Sequence, residues 1–124
     1  MASTVLLVED SKTQAKQISD VLVSVGLTVR VVGDGPEAIR EAMENPPDLI
    51  VLDIKLPSMD GYQVCRRLKR MEETQNIPII MLTDRTGAKE TMTGLKAGAD
   101  DYIPKDIFAA EHLMETLKEL GVLD

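Results

Sequence analysis

A chain of 124 residues, 44% hydrophobic and 28% charged, has the size and balance of one globular domain with a buried core and is too short for a catalytic domain plus a regulator. No apolar run approaches the ~18 residues of a membrane span, and Met1-Ala2-Ser3-Thr4 runs into a strand pattern without a basic or cleavable leader, so a soluble, cytoplasmic protein without membrane insertion is expected. A formal charge of −7 argues against direct nucleic-acid binding, and a single cysteine, Cys65, excludes an internal disulfide or a thiolate metal cage.

Apolar, β-branched runs alternate with helical patterns along the whole chain. A first strand, Thr4 to Val8, ends in the acidic pair Glu9-Asp10. Lys12 to Val25 follows with helical spacing, Ile18, Leu22 and Val25 facing inward, and Gly26 stands where a helix end needs a left-handed residue. Thr28 to Val32 reads as a second strand, and Pro36 suits the first turn of a helix to Glu44 with Ala38, Ile39, Ala42 and Met43 inward. The third strand, Leu49 to Asp53, is an apolar run that ends in a lone carboxylate. A helix from Tyr62 to Met71 carries Cys65 as a small, partly buried hydrophobe and Arg66, Arg67, Lys69 and Arg70 as a solvated outer face. Ile79 to Leu82 leads to Thr83, and a helix from about Lys89 to Ala97 stops at Gly98. Asp101 to Ile103 is the last strand, and Asp106 is placed to cap a final helix, Ile107 to Leu120, on which His112 is a solvated residue.

Strands that read as unbroken apolar runs are covered on both faces, which indicates a parallel sheet. Right-handed crossovers then give an α/β doubly wound sheet, whose ligands bind at the carboxyl ends of the strands. Glu9, Asp10, Asp53 and Thr83 all fall there. Three carboxylates gathered at two strand ends are tolerable only beside a cation, and an all-oxygen set suits hard Mg²⁺ with room left for a phosphoryl group. The pattern points to phosphate chemistry at Asp53.

Four segments in the right order make the chain resemble the receiver domains of bacterial two-component response regulators. They are Glu9-Asp10-Ser11, then Asp53 within Leu52-Asp53-Ile54-Lys55-Leu56-Pro57-Ser58-Met59-Asp60-Gly61, then Thr83, and last Ala99-Asp100-Asp101-Tyr102-Ile103-Pro104-Lys105. The resemblance implies a flavodoxin-like five-stranded sheet in the order 2-1-3-4-5. It implies that Asp53 accepts a phosphoryl group from a sensor histidine kinase or a histidine phosphotransfer protein. Mg²⁺, for which Mn²⁺ can substitute, would be held by Glu9, Asp10, Asp53 and the backbone carbonyl of Lys55. Lys105 would offset charge on the transferring group. Thr83 and Tyr102 would carry the signal, the Thr83 hydroxyl turning to the phosphoryl oxygen and Tyr102 moving from an exposed to an inward rotamer, so that a downstream target protein meets a changed surface on the fourth helix, fifth strand and fifth helix. With no output domain in the sequence, a stand-alone receiver acting by protein contact is expected.

Two positions depart from that family's pattern. Lys105 is followed by Asp106 and not by proline, so the bond between them is expected to be trans, a cis form costing ~3 kcal/mol without proline. Asp84, after Thr83, places a carboxylate where an incoming phosphoryl group must pass, which predicts slower phosphorylation from small donors, with Lys55 and Arg85 as offsetting charges. A phosphohydrolase of the haloacid dehalogenase type also uses a strand-end Asp, but it needs a second Asp two residues on, where Lys55 stands. A receiver fold that serves only as a phosphorylation-independent docking module is the other rival.

Overall fold

The computed structural model describes residues 3–123, and the expectation of no leader, which rests partly on Met1 and Ala2, lies outside them. Ten elements alternate: β1 (Thr4–Val8), α1 (Lys12–Ser24), β2 (Thr28–Val32), α2 (Gly35–Glu44), β3 (Leu49–Leu52), α3 (Gly61–Arg70), β4 (Ile79–Thr83), α4 (Ala88–Ala97), β5 (Asp101–Pro104) and α5 (Ala109–Glu119). The five strands form one parallel sheet in the order β2-β1-β3-β4-β5. The fold is the flavodoxin-like one that the strand pattern and the resemblance imply.

Alternation along each strand divides the core into two layers, because successive side chains leave a strand on opposite faces. Leu6, Val8, Ile50, Leu52, Ile79, Met81 and Tyr102 point to one face, where Ala38 and Ala42 of α2, Val64, Cys65 and Leu68 of α3 and Ala97 of α4 cover them. Val5, Leu7, Leu49, Val51, Ile80, Leu82 and Ile103 point to the other, under Ala15 and Leu22 of α1 and Leu113 and Leu117 of α5. Burial on both faces is why the central strands are apolar throughout, and it fixes register, since a slip of one residue would exchange the two layers.

Most helix boundaries have local causes. Ser11 caps α1 by accepting the Gln14 N–H at 3.3 Å, Asp34 caps α2 through the Glu37 N–H at 2.8 Å, and Asp60 with Gln63 forms a capping box on α3. Gly98 ends α4 in the left-handed conformation, with φ of 112°. The last helix corrects the sequence reading. It begins at Ala109, not Ile107, and its N-cap residue, Phe108, makes no side-chain cap. Asp106 instead accepts the Phe108 N–H at 2.8 Å, and its carbonyl takes the Ala109 N–H at 3.1 Å, closing a turn that leaves Ile107 and Phe108 exposed.

Candidate functional site

The parallel register delivers the carboxyl ends of β1, β3, β4 and β5 to one edge of the sheet. Backbone bonds continue the ladder past the strands: the Glu9 N–H reaches the Val32 carbonyl at 3.0 Å, and the Asp53 N–H reaches the Val8 carbonyl at 3.0 Å. Glu9, Asp10 and Asp53 are thereby brought together, each offering an oxygen within 4.8 Å of the others. Glu9 and Asp53 are buried and Asp10 is exposed, so the cluster opens to solvent on one side only. Gly61 allows the start of α3 to close on Asp53, for a Cβ there would collide with the Asp53 carbonyl and lie 2.8 Å from Ile54 Cα. The Gly61 N–H donates to the Ile54 carbonyl at 2.8 Å.

Lys105 follows β5, its N–H donating to the Thr83 carbonyl at 2.8 Å, and its ammonium enters the cluster. Nζ lies 2.6 Å from Glu9 Oε1 and 2.9 Å from Asp53 Oδ2, and it also donates to the Gln14 side-chain carbonyl. The other oxygens of the two buried carboxylates accept backbone N–H groups, Asp53 Oδ1 from Ile54 at 2.7 Å and Glu9 Oε2 from Ser11 at 3.2 Å. Burial pushes the Glu9 carboxyl above its ordinary range, the Lys105 hydrogen bond opposing it and the Asp53 charge adding to it. Lys105 is shifted upward: burial pulls it down, but its hydrogen bonds to Glu9 and Asp53 and their charges outweigh that pull.

The two upward shifts describe one imbalance. Three carboxylates against one ammonium leave about two negative charges at a site where Glu9 and Asp53 are buried, and one divalent cation matches that deficit. The donor set is all oxygen, as Mg²⁺ prefers, and Asp10 keeps an approach open to it. Glu9, Asp10 and Asp53 therefore fit the metal that the resemblance implies.

The remaining sequence candidates divide mainly between the end of β4, strand β5 and the loops after β3 and β4. Thr83 is buried at the end of β4, its hydroxyl accepting the Arg85 N–H at 3.1 Å. The Arg85 carbonyl in turn accepts the Tyr102 hydroxyl at 2.6 Å. Tyr102 stands inward, 7% exposed, and its phenol is pushed upward by burial, with the Tyr62 hydroxyl adding to the effect. Lys55, expected to offset the charge of Asp84, pairs with it directly. Their side chains meet at 3.4 Å from opposite loops, both more than half exposed. No cis peptide occurs among the described residues, so the Lys105–Asp106 bond is trans, as the missing proline predicts. His112 approaches Asp101 at 3.4 Å on the α5 face, and Cys65 is buried as a small hydrophobe.

Two residues escaped the sequence reading. Gln14 binds Lys105, and the Tyr62 hydroxyl lies 3.3 Å from that of Tyr102 and donates to the Glu90 carbonyl at 3.2 Å. Both sit in the first turn of a helix that starts at the carboxyl edge of the sheet, and that placement was the available signal.

Residues 5–118 match the family model of the response regulator receiver domain. The response regulator MprA of Mycobacterium ulcerans is 38% identical over 120 residues, covering 97% of this chain and 50% of that protein. The chain spans about half the length of the curated relatives it matches. A solved response regulator from Chloroflexus aurantiacus aligns with a TM-score of 0.91 at 34% identity, over 97% of this chain and 98% of that one. The receiver domain of sensor histidine kinase PA1611 from Pseudomonas aeruginosa, solved with a magnesium ion coordinated in its active-site cleft, aligns at 0.87 with 33% identity, over 98% and 99%.

Proposed function

The chain belongs to the family of response regulator receiver domains, and we propose that within it Asp53 is the phosphoacceptor of a Mg²⁺-dependent switch that signals through protein contact. The observation that carries this reading is the buried Asp53 carboxylate, gathered with Glu9 and Asp10 and bonded to Lys105 at 2.9 Å. The donor is a phosphohistidine on a sensor histidine kinase or a histidine phosphotransfer protein. A carboxylate oxygen of Asp53 forms a bond to phosphorus as the phosphorus–nitrogen bond breaks, the imidazole nitrogen leaving with its electron pair.

Glu9, Asp10, Asp53 and the Lys55 carbonyl are the groups proposed to hold Mg²⁺, or Mn²⁺ in its place. When bound, that ion supplies charge neutralisation for the transferring phosphoryl group. The protein's own contribution is positional. The Ile54 N–H and Lys105 fix the Asp53 carboxylate from two sides, so its orientation is set before the donor arrives. Lys105 offers a charged N–H to the phosphoryl oxygens. This is chemistry on the protein itself, in a signalling domain and not a turnover enzyme.

The signal follows from one residue. Arg85 gives its N–H to Thr83 and receives the Tyr102 hydroxyl on its carbonyl. A Thr83 hydroxyl that turns to a phosphoryl oxygen releases the Arg85 N–H, and the loop that moves carries the acceptor of Tyr102 with it. The equilibrium shifts by the difference in these contacts between the two states. Helix α4, strand β5 and helix α5 form the surface offered to a target protein, and the net charge of −7 supports protein over nucleic-acid contact. Among the described residues, no helix is long and apolar enough to cross a membrane.

Incubation with Mg²⁺ and acetyl phosphate, followed by intact mass, tests the reading. One added phosphoryl group is expected, absent with chelator and absent in Asp53→Asn. An unchanged mass in the unaltered protein would favour the docking module, and steady release of phosphate from free phosphomonoesters would favour the hydrolase.

A further inference from the structure

We infer that Gln14 is the positioning residue for Lys105, a role that rests on the phosphoacceptor reading above. A lysine ammonium has three N–H donors. All three are committed here, to Glu9 at 2.6 Å, to Asp53 at 2.9 Å and to the side-chain carbonyl of Gln14. The first two acceptors are charged members of the carboxylate cluster, and the proposed chemistry draws on both: Asp53 becomes an acyl phosphate, and Glu9 would help to hold the cation. Gln14 is neutral, lies outside the cluster and has no reason to let go. Its bond is the fixed one while the other two N–H groups exchange partners.

The backbone explains why such a hold is needed. Lys105 is followed by Asp106 through a trans peptide, and the next residues, Ile107 and Phe108, are exposed in a turn. Behind Lys105, a single backbone bond to the Thr83 carbonyl ties the residue to the sheet. A four-carbon side chain on that short tether has many rotamers, and an acceptor fixed to α1 selects one. Gln14 is itself fixed, because its own N–H is held by the Ser11 cap. The contact also joins α1 to the loop between β5 and α5.

Gln14 is exposed and helical, so Gln14→Leu removes the acceptor without a core defect. Two readouts are compared, the rate of phosphate gain from acetyl phosphate with Mg²⁺ and the nitrogen-15 NMR signal of the Lys105 ammonium, which survives only while hydrogen bonds shield it from exchange. Gln14→Leu is expected to slow phosphorylation about tenfold, the loss of one hydrogen bond that orients a reacting group. Its Mg²⁺ affinity by calorimetry should change less than about twofold, since no ligand is touched. The ammonium signal should broaden away in Gln14→Leu and persist in Gln14→Glu, which keeps an acceptor. Combined with Lys105→Ala, the Gln14 change should cost nothing further.

An ammonium signal that persists in Gln14→Leu overturns the inference, as does a full additional loss in the Lys105→Ala background. If the unaltered protein gains no phosphate, the phosphoacceptor reading falls. The NMR comparison still decides whether Gln14 holds Lys105.

Discussion

Gly94→Ala is a sharp test of how Tyr102 is held, because two known effects oppose each other there. Gly94 lies inside α4, where alanine is worth about 1 kcal/mol over glycine in helix propensity. Against this, a Cβ at position 94 would sit 2.7 Å from Tyr102 Cδ2, 2.9 Å from Cε2 and 2.8 Å from Met81 Sδ. A rigid ring backed by β5 cannot yield as a flexible chain end does, and forcing a methyl into such a site costs ~1–3 kcal/mol. The alternative is that the ring leaves, which forfeits the 2.6 Å bond to the Arg85 carbonyl, about 1 kcal/mol, and part of the ring's burial. Either route exceeds the propensity gain, and a net loss of about 1 kcal/mol by urea unfolding is expected.

Alkaline titration separates the two routes. The protein has two tyrosines and no tryptophan, so phenolate absorbance reports Tyr62 and Tyr102 alone. Tyr102 is raised above the usual tyrosine range in the folded protein, by burial first. The stability it contributes is therefore complete below that range and is lost as pH climbs through the raised value. If Gly94→Ala expels the ring, one phenol returns to ordinary titration, and in a Tyr102→Leu background the same alanine becomes less harmful. A Gly94→Ala protein as stable as the parent, with unchanged phenol titration, would show that α4 does not confine Tyr102.

Asp84→Ala removes a negative charge from the approach to Asp53 and frees Lys55, its partner at 3.4 Å. Because both side chains are more than half exposed, the change is screened, and phosphorylation by acetyl phosphate should quicken only about two- to fivefold at low salt and less at high salt. An unchanged or slower rate would remove Asp84 as a barrier. Cys65 is pushed up to about 11 by burial, so at pH 8 its thiolate is about a hundredfold scarcer than that of an ordinary thiol. Thiol reagents should label it only at the rate of unfolding, and its contribution to stability should vanish as pH rises through about 11. Fast native labelling at pH 8 would contradict its placement between α3 and α4.

The sheet was legible because burial on both faces leaves an unbroken apolar record: Leu49-Ile50-Val51-Leu52 has no polar residue to confuse its period. The carboxylate cluster was legible for a related reason. Glu9 and Asp53 each interrupt such a run abruptly, and strand ends in this topology meet at one edge. What the sequence withheld depends on which partner each polar group takes in the folded chain. Ile107 and Phe108 continue an apolar spacing that suits α5, yet the Asp106 carboxylate satisfies the Phe108 N–H and forms a turn instead. Gln14 and Tyr62 are polar first-turn residues with no pattern of their own, and only the meeting of α1 with the loop after β5, and of α3 with α4, gives them partners. The pairing of Lys55 with Asp84 likewise joins loops that are far apart in the chain.

The proposed bond between Asp53 and phosphorus is read most directly by borohydride reduction. An aspartyl phosphate is cleaved by borohydride to homoserine, whereas a phosphate ester on a hydroxyl is left intact. After treatment with Mg²⁺ and acetyl phosphate, homoserine is expected at position 53 alone in peptide mass maps, and none when Mg²⁺ is chelated. Homoserine at another aspartate, or phosphate that survives reduction on a serine or threonine with position 53 unaltered, would contradict it.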